Sequence, residues 1–154
     1  LAGMAFSNII IRDQATREEF RARDKLFGMV NPLSLTAAKA AYDKGGPWLE
    51  ELRDYLDGNF AFVQEFLSLE LPEAVMNISD ATYLAWVDLG RCLPDVADLP
   101  GFFANEAGVL LEGGNSLFVD NAEGYIRLNL AMPRSMIQTG LERIRDSIRR
   151  HRKS

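Results

Sequence analysis

The sequence predicts an α+β fold in which helices come first and a small antiparallel or mixed sheet, covered by helices, follows. Three observations predict it. Apolar residues recur at three and four along Trp48, Leu49, Leu52, Tyr55, Leu56, Phe60, Val63, Phe66 and Leu67, the spacing of a long helix with one wide apolar face. After Leu71-Pro72 that period gives way to short β-branched and aromatic runs broken by turn residues. A final helical stripe, Ile137, Leu141, Ile144 and Ile148, closes the chain.

The elements follow in order. Ser7 to Asp13 contains Ile9-Ile10-Ile11 without alternation, which fits a strand buried on both faces of a parallel sheet. Ala15 to Met29 carries Phe20, Leu26 and Phe27 among charges and reads as an amphipathic helix ending near Asn31-Pro32. Another starts at Ser34 or Leu35 and runs through Tyr42 to Gly45-Gly46-Pro47. The long helix follows from Trp48, weakened by Gly58 by about 1 kcal/mol relative to alanine.

In the second half, Val75 to Ile78 and Tyr83 to Val87 read as strands joined around Ser79-Asp80, with a loop from Leu93-Pro94 to Leu99-Pro100. A short helix is expected over Gly101 to Ala107, and further strands over Val109 to Leu111 and Tyr125 to Leu130. Gly113-Gly114-Asn115 and Asp120 to Gly124 separate these strands as turns. Ser135 and Gln138 form a capping-box pattern at the start of the last helix. No internal repeat or low-complexity segment appears.

A chain of 154 residues with 47% hydrophobic content can bury roughly two-thirds of its surface and needs no covalent staple. The single cysteine, Cys92, excludes an internal disulfide and reads as a buried thiol in a reducing, cytoplasmic setting. A net charge of -5 argues against nucleic-acid binding, whose affinity rests on neutralising phosphates. The run Arg143, Arg145, Arg149, Arg150, Arg152 and Lys153 reads as a solvated helix end whose cations complement the macrodipole. No apolar run reaches the roughly 18 residues of a membrane span, and no signal-peptide pattern opens the chain.

Candidate chemistry is sparse. His151 is the only histidine, three residues from the end, and is expected to be solvated. One histidine and one cysteine make no metal site, and none of the common nucleophile or phosphate-loop motifs is present. Arg127 is the exception. In the alternating run Tyr125 to Leu130, Ile126, Leu128 and Leu130 share one face, and Tyr125, Arg127 and Asn129 the other. Its planar fork matches a carboxylate in two parallel hydrogen bonds, although a strand arginine is more often an ion-pair or surface residue. Arg134 lies beside the start of the last helix, a poor place for a cation unless a carboxylate is near; an aspartate or glutamate partner is expected.

Three segments together resemble the C-terminal part of fold-type I pyridoxal-phosphate (PLP) enzymes. They are Ala81 to Asp88, Val109 to Gly114, and Gly124 to Ser135, where Arg127, Asn129 and Arg134 match the pattern R-x-N-x-x-x-x-R. The branch they resemble is that of cystathionine β-lyase and its relatives among the class I/II aminotransferases. Leu1-Ala2-Gly3 is similar to the tail of the family's Ser-Lys-Thr-Phe-Asn-Leu-Ala-Gly motif, which would place the cofactor-binding lysine six residues before Gly3. Lys25, Lys39, Lys44 and Lys153 have no such motif around them. Ala5 stands where many aminotransferases of this fold carry a phosphate-binding arginine, a departure that favours the lyase-like branch.

The resemblance implies a division into residues 1–13, a remnant strand of a PLP-binding large domain, 14–47, an interdomain helical segment, and 48–154, a C-terminal small domain. It implies that Arg127 grips the α-carboxylate of an L-amino acid, and that Asn31, in Asn31-Pro32-Leu33-Ser34, approaches the neighbouring subunit's active site of a homodimer. A helix-breaking Asn-Pro turn explains Asn31 equally well. The implied enzyme is an aminotransferase or a C–S β-lyase with PLP as cofactor, and this stretch alone would be inactive and would not hold PLP stably. The competing class is a non-catalytic α+β interaction module that docks a partner on its long aromatic helix.

Overall fold

A computed structural model describes residues 2–5, 7–23, 30–117 and 121–153. The chain divides into two compact units, Leu1–Glu51 and Leu52–Ser154. This boundary lies four residues inside the expected start of the small domain, because the long helix begins in one unit and ends in the other.

In the first unit a 3₁₀ turn, Ala2–Met4, precedes α1, Gln14–Arg23, and α2, Pro32–Lys44. Asp13 starts α1: its Oδ1 accepts hydrogen bonds from the backbone N–H and the hydroxyl of Thr16, both at 2.7 Å. Those two bonds hold the Asp13 carboxyl below its ordinary range. The expected continuation of α1 through Leu26 and Phe27 to Met29 lies outside the described residues. Ser34, buried, donates to the Met4 carbonyl at 2.8 Å and ties the first turn to α2.

The strand expected over Ser7 to Asp13 is not formed: residues 7–12 carry no ladder, and Ile9 and Ile10 are 60% and 85% exposed. A strand buried on both faces needs a neighbour on each side, and the described residues of this unit supply none. The unit is also poor in core. Ala38 is its one buried apolar residue among those described, α1 buries nothing, and Leu33, Tyr42 and Trp48 are each more than 60% exposed.

The second unit holds the core. α3, Gly46–Glu70, buries Phe60, Val63 and Leu67 along one face. β1, Val75–Met76, and β2, Leu84–Asp88, are joined through residues 77–83. They are followed by α4, Leu99–Ala107, β3, Glu112–Gly113, a short α5, Gly114–Leu117, β4, Tyr125–Asn129, and α6, Arg134–His151. The four strands are antiparallel in the order β1-β2-β4-β3. Met76, Ala85, Val87 and Ile126 point into the core with Phe103 of α4 and Ile148 of α6. The stripe predicted for the last helix is buried at all four positions.

Three local expectations are corrected. Val109 to Leu111 is not the third strand, which is Glu112–Gly113; the N–H of Val109 bonds to the Phe103 carbonyl at 3.1 Å, so residue 109 still belongs to the end of α4. Gly113 and Gly114 accordingly sit in a strand and a helix rather than in a separating turn. The capping box at Ser135 and Gln138 is not made either. Pro133 is the cap residue and has no side-chain bond, which places Ser135 already inside the helix, and Gln138 turns instead to Glu142 at 2.9 Å.

Gly124 shows why one turn is glycine. Its φ of 78° lies in the left-handed region, and a Cβ there would come within 2.8 Å of the Gly90 Cα. Two loops cross at this point, and the N–H of Leu89 reaches the Gly124 carbonyl at 2.7 Å.

Candidate functional site

The sheet has one face against the helices and an opposite, more open face. Leu84, Trp86, Asp88, Tyr125 and Arg127 are half-buried on the open face, and Val75, Glu112 and Asn129 are exposed there. Alternation in β4 therefore runs as expected, with Ile126 and Leu130 inward and Arg127 outward. Strand register sets the neighbours of Arg127: Trp86 of β2 stands opposite it on one side and Glu112 of β3 on the other.

The three side chains form a row. The guanidinium carbon lies 5.9 Å from the Trp86 ring centroid, within cation–π range. On the other flank the Arg127 Nε donates to Glu112 Oε2 at 2.7 Å, and Nη2 donates to the same oxygen. Among the described residues Nη1 has no hydrogen-bond partner. The arginine side chain is 21% exposed and the glutamate 52%, so this is a cation held at a surface by two neighbours with one edge left over. Charge-assisted bonding to a second carboxylate is what that edge can do. Glu112 was not among the residues singled out from sequence, because pairing of β3 with β4 is a property of the sheet.

Arg134 has a different partner from the one expected. No described carboxylate pairs with it. Its Nε donates to Asn59 Oδ1 at 3.0 Å, and its guanidinium lies 5.9 Å from the Tyr55 ring and 5.8 Å from the Phe62 ring. Gly58 leaves room for the guanidinium in this position, since a Cβ there would lie 2.6 Å from Arg134 Nη2. The cation is thus satisfied by an amide and two aromatic faces of α3, and its place is structural.

Asn31 caps α2, its Oδ1 accepting from the Leu33 N–H at 2.9 Å. That bond accounts for the Asn-Pro turn. His151 is not merely solvated: it is half-buried, with Nε2 at 2.9 Å from Asp95 Oδ2 and its ring edge-on to Phe102 at 5.3 Å. The hydrogen bond from His151 holds the Asp95 carboxyl below its ordinary range.

The basic run at the C-terminus is largely engaged as well. Arg145 and Arg149 pair with Glu70, Arg152 with Glu73, and Arg150 donates to the Glu106 carbonyl. The run therefore ties α6 to the ends of α3 and α4. Cys92 is buried and free, and burial pushes its thiol above its ordinary pKa.

A cleft of about 340 Å³ opens between residues 109–112, β4 and α6, with Leu111, Leu128, Met132 and Met136 among its walls. Among the described residues no group of three His, Cys, Asp or Glu is placed to hold a metal ion, and no helix is long and apolar enough to cross a membrane.

A similar sequence and the same fold recur in known enzymes. Cystathionine β-lyase PatB of Bacillus subtilis is 38% identical over 151 residues, covering 96% of this chain and 38% of the relative. The PLP-bound C–S lyase of Staphylococcus hominis superposes with a TM-score of 0.87 at 44% identity, covering 96% of this chain and 38% of that one. By sequence and by fold, the chain matches the C-terminal part of these PLP-dependent C–S lyases. Cystalysin of Treponema denticola, whose structure contains PLP, gives a TM-score of 0.87 at 34% identity and is covered over 38% of its length. No protein-family model matches the chain. The chain thus spans a little over a third of the length of the relatives it matches.

No described lysine lies in a shielded site. Holding PLP covalently takes such a lysine, whereas Lys39 is 77% exposed and paired with Asp43, and Lys44 and Lys153 are exposed. At Arg127 one guanidinium nitrogen, Nη1, is left without a hydrogen-bond partner among the described residues.

Proposed function

We propose that this chain forms the C-terminal part of a homodimeric, cytoplasmic, PLP-dependent enzyme that acts on L-amino acids by C–S β-elimination or by aminotransfer, and that Arg127 binds the substrate α-carboxylate. The observation that carries this is the row Trp86–Arg127–Glu112 on the open sheet face, where one edge of a guanidinium stays unengaged among the described residues. A bidentate pair with that edge would fix both the position and the plane of an amino acid's carboxylate. The electron-sink chemistry belongs to the cofactor, and no step of it is assigned to this chain, which by itself would be inactive.

Similarity to PatB and to the Staphylococcus lyase supports the lyase branch. The core-poor first unit, with Leu33, Tyr42 and Trp48 exposed, is in keeping with a segment that packs against more protein.

The experiment is to express the complete coding frame carrying this chain, saturate it with PLP, and follow pyruvate from L-cystathionine with and without a 2-oxo acid. A lyase takes up water and releases homocysteine, pyruvate and ammonia without the acceptor. Dependence on the 2-oxo acid, with a keto acid formed from the amino donor, marks an aminotransferase. A folded protein that takes up no PLP and shows no turnover of either kind would leave the interaction module as the better reading. Arg127→Ala should lower kcat/KM by about 30- to 900-fold, the equivalent of roughly 2 to 4 kcal/mol for a charge-assisted bidentate pair. An unchanged kcat/KM would remove the role given to Arg127.

A further inference from the structure

We propose that Glu112 is a positioning residue for substrate binding: it holds the Nε edge of Arg127 and so leaves the Nη1 edge aimed at the substrate carboxylate. The proposal rests on the reading of Arg127 given above.

An unrestrained arginine samples several rotamers, and ordering it at the moment of binding costs affinity. Here the ordering is already done. Register places Glu112 directly across from Arg127 on the edge strand and Trp86 directly across on the inner strand. The aromatic ring limits the guanidinium on one side, and Glu112 Oε2 takes both the Nε and one Nη2 proton on the other.

A guanidinium has two edges that can each accept a carboxylate in a fork, one made by Nε and Nη2 and one by Nη1 and Nη2. Glu112 occupies the first. The second, with its two parallel N–H bonds, stays available among the described residues. A glutamate acting as a plug would be expected on the outer, Nη1 edge that an incoming carboxylate needs. Because both partners reach solvent, with side-chain exposures of 21% and 52%, the pair adds little to stability, and its effect lies in orientation.

The test uses the complete, PLP-saturated protein with L-cystathionine as probe. Glu112→Ala should raise KM by about five- to thirtyfold with kcat within about twofold, since ground-state capture is what loosens. Glu112→Gln should restore most of the loss, because its amide oxygen accepts the same two bonds without the charge. With the α-carboxamide of the same amino acid, the Ala variant and the wild type should have equal KM, a result that general disruption of the sheet edge would not give. A KM that falls in Glu112→Ala would make Glu112 a competitor for the arginine and overturn the proposal. So would an unchanged KM while Arg127→Ala is still impaired. If Arg127→Ala itself is unimpaired, the parent reading fails, and that outcome is separate from the other two.

Discussion

Asn59 joins the long helix to Leu130 through one end of its side-chain amide and to Arg134 through the other. Its Nδ2 donates to the Leu130 carbonyl at 2.9 Å, and its Oδ1 accepts from Arg134 Nε at 3.0 Å. The residue is fully buried, yet none of its polar atoms is without a partner. It therefore sets where β4 leaves the sheet and where α6 begins.

Replacing Asn59 with alanine removes the donor to Leu130 and leaves that carbonyl unpaired in the interior. The expected cost is about 1 to 3 kcal/mol, read as a shift of the urea midpoint with an unchanged slope. A variant as stable as the parent would mean that water or Tyr55 replaces the amide.

Ile148 is fully buried on α6 and belongs to the apolar core of the second unit. Ile148→Ala should cost about 2 to 5 kcal/mol, the transfer loss plus the cavity left behind. Met136→Ala on the same helix, where the side chain is 59% exposed, should stay within about 0.5 kcal/mol. Equal effects from the two would contradict the assignment of the buried face.

The Asp95 carboxyl is held below its ordinary value by the bond from His151. A depressed folded-state value means that the unfolded chain binds more protons near the carboxylate range, so the pair contributes stability above the unfolded pKa of about 3.9 and loses it as pH falls through the lower folded value. The stability difference between wild type and Asp95→Ala should shrink as pH is lowered from about 6 to about 3. A gap that stays constant across that range would show that the carboxylate is not the stabilising form.

Cys92 is 1% exposed, and burial raises its thiol pKa, with the nearby Arg152 cation opposing the rise only in part. Native protein should therefore react with a thiol reagent at pH 8 only at the rate of unfolding, and denatured protein at once. Rapid labelling of the native state would contradict its burial.

The buried stripe of α6 and the alternation of β4 could be read from residue order, because the 3.6 and 2.0 periods of helix and strand place side chains by local geometry alone. On that basis Arg127 could be assigned to the outer face of a strand, and the match at Arg127, Asn129 and Arg134 could suggest a carboxylate grip. Local geometry was equally clear for Ile9 to Ile11, yet that strand does not form, since pairing needs partners that the described residues of the first unit do not supply. The capping box failed for a related reason: with Pro133 as its cap, α6 starts two residues earlier than the motif implies, and Tyr55 from a distant helix accepts the first N–H at 3.0 Å. Tertiary structure alone decided the partners. Glu112 meets Arg127 because β3 pairs with β4 across fifteen residues of sequence, and Asn59 meets Arg134 across seventy-five. Such contacts are fixed by sheet register and helix packing, which depend on every element at once, so no window of the sequence could name them.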